Sequence, residues 1–256
     1  MRKTEGGAPL DAVVRYVDDL LHASEIRDWK NALNGLQVAN GGVVHRIAAA
    51  VDASEHTISE TIRRGCDLLL VHHGLFWSGN RPVTGARFRR LRALITADVA
   101  VYGAHLPLDV HPELGNNVLL ARDIGLEPTG GFALHEGREI GVTAECDVDR
   151  AELLVRLERA LEGPVRLIAG GPERVRRVGV LTGSGGSAIE DAVSRGLDTL
   201  ITGEGSHHTF IDAYEAGINL VYGGHYATEV RGVRALAAHV GERFGLGWDF
   251  IDAPTG

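Results

Sequence analysis

Residues 44–74 read VHRIAAAVDASEHTISETIRRGCDLLLVHHG, and this stretch decides the fold. Ile47 to Val51 is an apolar run of strand length. Ser54 can cap a helix whose inward face holds Ile58 and Ile62, and Gly65 can end that helix in a left-handed conformation. Leu68 to Val71 is a second buried strand, followed at once by His72-His73-Gly74. A strand, a helix and a strand in this order form a parallel crossover unit. Working outward, Leu10, Val13, Val14, Val17, Leu20 and Leu21 predict an amphipathic helix over 9–22. The segment 29–37, with Asn34-Gly35, reads as a turn. Helix 86–97 and strand 99–102 extend the pattern to His105.

The second half repeats the first. Val44–Gly74 set against Val175–Gly205, at an offset of 131, gives eight identities in 31 positions, among them Gly65/Gly196 and Asp67/Asp198. Downstream, 101–105 (VYGAH) meets 221–225 (VYGGH) at an offset of 120. Two blocks in the same order argue for duplication. Between the copies lie a strand over 138–144, a helix over 149–161 and a strand over 165–169. A last helix over 228–243 turns Val233, Leu236, Ala237 and Val240 inward. The expected fold class is α/β: two related lobes, 1–127 and 128–256, built mainly of parallel strand–helix–strand units, with the C-terminal helix packing back at their junction.

Composition narrows the function. The 256 residues carry 26 Lys+Arg against 34 Asp+Glu, a net charge of −8, which argues against a general nucleic-acid binder. Arginines between Arg81 and Arg92 would have to share one surface to reverse that conclusion. Two cysteines, Cys66 and Cys146, are too few for a disulfide scaffold and fit a reducing, cytoplasmic compartment. The opening residues Met1 to Glu5 lead into no apolar leader, and no stretch approaches transmembrane length, so no membrane partner is expected.

The chemistry gathers where parallel strands end, the edge at which open α/β sheets bind ligands. The first copy places His72, His73, His105 and Asp109 there; the second places Glu204, His207, His208, His225 and Glu229. Both copies keep an imidazole and a carboxylate four residues apart, His105 with Asp109 and His225 with Glu229. A helix starting near Thr228 would put Glu229 in its first turn, whereas Leu106-Pro107-Leu108 argues against a regular helix before Asp109. Imidazoles and carboxylates suit divalent Zn, Fe, Mn, Co or Ni. Such a set could hold one ion, or a carboxylate could bridge two held roughly 3.5–4 Å apart. The glycine-rich 181–187 (LTGSGGS) follows a strand and opens a helix, so its N–H groups could face an anion; it lacks the phosphate-loop and dinucleotide fingerprints, and a tight strand-to-helix turn is the favoured reading.

Six blocks add a resemblance: 34–38 (NGLQV), 71–77 (VHHGLFW), 102–117 (YGAHLPLDVHPELGNN), 201–204 (ITGE), 224–229 (GHYATE) and 250–252 (FID). With them the chain resembles the Nif-three-like dinuclear metal-centre proteins, the type-two GTP cyclohydrolase I homologues, in their short bacterial form. The resemblance implies two divalent metal ions per subunit, with His72, His73, Asp109, His225 and Glu229 as ligands and Glu229 between the ions. It implies a toroidal homohexamer of two-lobed subunits. His105, in the same block as Asp109, is implied to lie near the centre, and Glu204, His207 and His208 match a nearby polar loop. The expected activity is metal-assisted hydrolysis of a small phosphorylated or nucleotide-like substrate, with His105, Glu204, His207 and His208 as the catalytic set. The rivals are a metal-binding regulatory or chaperone-like protein without turnover, and a ring-shaped nucleic-acid interactor.

Overall fold

The computed structural model describes residues 6–77 and 79–255; the opening Met1–Glu5, read above as no leader, lies outside them. Two compact units divide the chain: unit 1 is Met1–Leu108 with Gly232–Ala253, and unit 2 is Asp109–Arg231 with Pro254–Gly256. Residues 109–127, expected in the first lobe, therefore group with the second unit, and the chain returns to the first unit after Arg231.

Unit 1 runs β1 (Ala8–Pro9), α1 (Leu10–Leu21), β2 (Gly35–Val38), β3 (Val43–Val44), β4 (Arg46–Asp52), α2 (Glu55–Arg63), β5 (Leu68–His73), α3 (Gly85–Thr96), β6 (Ala100–Gly103) and the single turn α4 (Leu106–Asp109). Unit 2 holds α5 (Asn116–Asp123), β7 (Pro128–His135), β8 (Arg138–Asp149), α6 (Arg150–Leu161), β9 (Arg166–Ala169), β10 (Arg174–Leu181), α7 (Ile189–Ser194), β11 (Thr199–Thr202), α8 (Thr209–Ala216), β12 (Asn219–Tyr222) and the start of α9 (His225–Phe244). The rest of α9, with β13 (Gly247–Phe250), belongs to unit 1. The unit 1 sheet has the order β13-β4-β5-β6-β2, and the unit 2 sheet β7-β8-β10-β11-β12-β9. Parallel pairing holds through β13, β4, β5 and β6, and through β10, β11 and β12; the other pairs in these sheets are antiparallel.

The crossover predicted over 44–74 forms for the expected local reasons. Ser54 accepts the Thr57 N–H at 3.1 Å and Thr57 Oγ1 accepts the Ser54 N–H at 2.9 Å, a reciprocal cap. Gly65 follows the last turn at φ +68°. One face assignment changes: Ile58 is buried but Ile62 is exposed, and Thr57 and Thr61 face inward instead. Thr61 can be buried because its hydroxyl donates to the Thr57 carbonyl at 2.7 Å. One face of the unit 1 sheet then packs Ala48, Ala50, Leu69, Val71 and Val101 with Ile58 and Leu94.

Other expectations shift by physical detail. Part of the predicted turn at 29–37 is β2, antiparallel to β6, with Gly35 at φ +95° marking where the turn gives way to strand. The strand expected at 138–144 continues to Asp149, and its hairpin partner β7 is hidden in sequence by Gly130 and Gly131. Glu136 and Gly137, both at positive φ, make the tight turn between them. Pro107 sits inside α4, because the first turn of a helix needs no proline N–H. α9 begins at His225, three residues before the expected start.

The duplication is written in hydrogen bonds. Asp67 Oδ1 accepts the N–H groups of His45 and Arg46 at 2.8 and 3.1 Å; Asp198 Oδ2 accepts those of Arg176 and Arg177 at 2.8 and 3.0 Å. The ladders pair Leu68 with Ala100 and Thr199 with Asn219, so the strand-level offset at β6 and β12 is 119, against the 120 of the sequence match. That single residue matters, because a slip of one turns a side chain to the other face. Tyr102 is accordingly buried and donates to Asp18 at 2.6 Å, whereas Tyr222 packs on the α7–α8 side with Leu200 and Leu220. The matching Tyr-Gly pairs are alike in sequence but not in place.

Candidate metal centre

In unit 1, β5 carries His72 and His73 to its carboxyl end and the loop after β6 brings His105 beside them. His72 and His105 ring centroids lie 4.8 Å apart, as do those of His72 and His73. The three imidazoles offer donor nitrogens within 4.8 Å of one another. Trp77 sets its indole edge-to-face with His105 at 4.6 Å.

Each of these rings is held from behind through Nδ1. His72 Nδ1 meets the Ala104 carbonyl at 2.8 Å, His73 Nδ1 meets Asp52 Oδ1 at 2.9 Å, and His105 Nδ1 meets Asp28 Oδ1 at 2.9 Å. A carbonyl or carboxylate on Nδ1 selects the tautomer whose Nε2 lone pair is left to bind a cation. Asp28 is the most heavily held of these acceptors. It also takes the Asn34 amide at 2.8 Å and the N–H groups of Trp29 and Leu106 at 2.6 and 3.0 Å. Burial pushes its carboxyl upward, but the hydrogen bond and charge of His105, with the Asn34 and Trp29 donors, outweigh it and hold the pKa below the usual value.

Gln37 locks the NGLQV block against HHG. Its Oε1 accepts the Leu75 N–H at 2.7 Å and its Nε2 donates to the Leu33 carbonyl at 2.6 Å. A Cβ at residue 74 or 103 would overlap the Gln37 amide, which is why both positions are glycine.

Unit 2 builds a second group. His225 and Glu229 are one turn apart on α9, with His225 Nε2 3.1 Å from Glu229 Oε2. Glu204, after β11, meets His225 Nδ1 at 2.8 Å. Glu229 is the main cause that raises His225 to about 9, against burial, and Glu204 adds to it. Glu229 is itself buried, and the space for its carboxylate comes from Gly183 at φ +68°, where a Cβ would overlap Oε1. The glycine-rich loop forms the strand-to-helix turn its sequence suggested, and the room it leaves for Glu229 is an addition the sequence did not show. The N–H groups of Gly183, Gly185 and Gly186 go to Thr228 Oγ1, Thr202 Oγ1 and the Glu204 carbonyl. Asp109 is held at Oδ1 by the Asn116 amide at 2.8 Å, and Asn117 ties the same segment to Thr182 through 2.7 Å and 3.1 Å bonds. His207 and His208 lie exposed in the turn leading into α8, with His208 4.0 Å from Asp212.

Three residues of this arrangement escaped the sequence reading. Asp52 directly follows the predicted strand 47–51, so the sheet-edge rule already pointed to it. Asp28 and Gly183 had no such signal: one is a lone acid in an irregular segment, the other a glycine among glycines. The donor chemistry fits a borderline divalent cation, since imidazole nitrogens and carboxylates are present and both cysteines are unsuited to the role. Burial, the main cause, raises the thiol of Cys66 to about 12, and also raises that of Cys146.

The family model described as Duf34/NIF3 (NGG1p interacting factor 3) matches residues 8–255. A protein of Deinococcus radiodurans named GTP cyclohydrolase 1 type 2 homolog is 43% identical over 249 residues, covering 96% of this chain and 94% of its own. Among solved structures, a chain described as protein ybgI, of unknown function, is similar with a TM-score of 0.90 and 38% identity over 97% of this chain and 99% of its own. The protein TTHA1606 of Thermus thermophilus is similar with a TM-score of 0.89 and 37% identity over 97% and 100%.

Proposed function

Because this chain belongs to the Duf34/NIF3 family, we propose that it is a metal-dependent hydrolase of small phosphorylated or nucleotide-like substrates. Its ligands for two divalent ions are His72, His73, Asp109, His225 and Glu229. The observation that carries this reading is the shared treatment of the imidazoles. His72, His73 and His225 each have Nδ1 against an oxygen acceptor, an arrangement that metal-binding histidines favour. When bound, such ions supply Lewis acidity and lower the pKa of nearby water.

The chain's own residues divide the remaining work. His105, backed by the ionised Asp28, accepts and returns a proton at Nε2. Glu204 orients His225, and the exposed His207 and His208 contact substrate. A small-molecule substrate is favoured over nucleic acid by the net charge of −8 and by the pairing of Arg89, one of the five clustered arginines, with Glu55. The name of the Deinococcus relative makes GTP the first nucleotide to try. The working form is a toroidal homohexamer in the cytoplasm; no helix among the described residues is long and apolar enough to cross a membrane.

The test is metal analysis of the purified protein and of His73→Ala and Glu229→Ala, followed by a hydrolysis panel of phosphoesters and nucleotides on metal-saturated protein. Both variants are expected to lose tightly bound metal, and the wild type to turn over at least one substrate. Full stoichiometry in both variants would remove the ligand set. Tight metal without turnover across the panel would leave a metal-binding protein and remove the hydrolase.

A further inference from the structure

The end of β4 sets a carboxylate behind a proposed metal ligand, and the duplication shows what it is there for. Asp52 is the register partner of His73 across β4 and β5, and its Oδ1 lies 2.9 Å from His73 Nδ1. The strand end itself is built by main-chain groups. The Asp52 carbonyl accepts the Thr57 hydroxyl at 2.7 Å and the Ser54 N–H at 3.1 Å, and the Ala53 N–H donates to the His73 carbonyl at 3.0 Å.

The second copy isolates the role of the side chain. At the offset of 131, Asp52 corresponds to Gly183 and His73 to Glu204. That copy still joins the two positions, through a 2.9 Å bond from the Glu204 N–H to the Gly183 carbonyl, with no side chain on residue 183. An acid at this place is therefore not what the duplicated scaffold needs to close its sheet edge. It appears in the copy where an imidazole faces it. In the other copy, the room left by the missing side chain holds the Glu229 carboxylate.

We infer that Asp52 is a positioning residue for metal binding: it holds His73 as the Nδ1–H tautomer, with Nε2 free of the proton and fixed in direction. The inference rests on the reading of His73 as a ligand. A carboxylate in this place also makes the imidazole a better electron donor, and loss of such a partner typically lowers metal affinity by about 10–100-fold. The side chain acts through His73, without itself touching the ion.

The experiment uses full-length protein stripped of metal and titrated with zinc against a competing chelator, comparing wild type, Asp52→Asn and Asp52→Ala. Asparagine keeps the shape but can present an N–H to His73 Nδ1, which favours the opposite tautomer. Zinc affinity is expected to fall about 10–100-fold in Asp52→Asn, with thermal unfolding of the metal-free protein little changed. Nitrogen NMR of the His73 ring should report the switch from Nδ1–H to Nε2–H. Asp52→Ala, which leaves room for water at Nδ1, should lose affinity but keep a mixture of tautomers. Unchanged zinc affinity in Asp52→Asn would overturn the inference, as would an unchanged His73 tautomer. If wild type binds no zinc and His73→Ala is indistinguishable from it, the metal reading itself falls. If wild type binds tightly and His73→Ala does not, while Asp52→Asn matches wild type, only the role given to Asp52 falls.

Discussion

Gly183 concentrates two demands in a residue with no side chain. Its backbone is left-handed at φ +68°, and the place of its Cβ is taken by the Glu229 carboxylate, with His225 Nε2 3.4 Å away. Gly183→Ala should therefore cost about 1–2 kcal/mol for the backbone alone, and it must also displace Glu229. Gly65 provides the control: it has the same φ, but a Cβ there meets nothing within 4 Å. We expect both alanine variants to unfold at lower temperature, while zinc titration shows lost binding only in Gly183→Ala. Equal zinc binding in the two would mean that Glu229 does not need its present position. At this scale the sequence was legible where chemistry-bearing residue types stand at strand ends. His72, His73, His105, His225 and Glu229 could be picked out by spacing and type. Asp28 could not, because its importance comes from four donors that meet only after folding, one of them His105, 77 residues away. A glycine is legible as a turn but not as the space kept for another residue's carboxylate.

Among the elements, β13 is attached through an ion pair that acid can break. It is an edge strand, four residues long, laid parallel to β4. Arg46 on β4 donates to Asp249 on β13 at 2.7 Å, and Arg64 donates to the Phe250 carbonyl at 3.0 Å. The Arg46 hydrogen bond, aided by its charge and opposed by burial, holds the Asp249 pKa below its ordinary 3.8. The sign follows from linkage. A carboxyl with a lowered folded pKa contributes its full stability above the unfolded value, and loses it as pH falls through the folded one. Hydrogen exchange of the β13 amides should accordingly quicken as the pH drops below about 4, beyond the change in intrinsic exchange. Asp249→Asn should show faster exchange already at pH 7 and a flatter acid response. An identical acid response in wild type and variant would mean that the ion pair does not hold the strand. The elements that sequence reading located were those with a one-sided apolar pattern, such as α1 and α6. β2 and β7 were hidden because glycines and a short length erased the alternation that marks a strand.

In the whole molecule, duplication was legible as two blocks of identity, but the sequence match ran one residue out of step with the strands at β6 and β12. Repeated Tyr-Gly pairs drew the alignment there. Only the ladder shows that Tyr102 and Tyr222 serve opposite faces. The positions that do correspond are those with a common backbone task, and Asp67 and Asp198 are the clearest. Each accepts two N–H groups where the first strand of its crossover begins, and each donates its own N–H back, to the Arg46 and Arg177 carbonyls at 3.0 and 2.9 Å. Removing either carboxylate leaves two N–H groups without their charged acceptor, a loss of about 2–4 kcal/mol. The two sites are not equal. Asp67 is buried and also meets His45 Nδ1 at 2.9 Å, whereas Arg176 stands where the duplication would place a second histidine, and Asp198, which accepts the Thr199 hydroxyl at 2.9 Å, is more open. Water can therefore replace more of what Asp198 provides. Urea unfolding of Asp67→Ala and Asp198→Ala should show both less stable than wild type, with the larger loss at Asp67. Asp67→Asn should recover part of it, since the amide oxygen can still accept one of the two bonds. A larger loss at Asp198, or none at either site, would show that the shared backbone bonds do not carry the repeat.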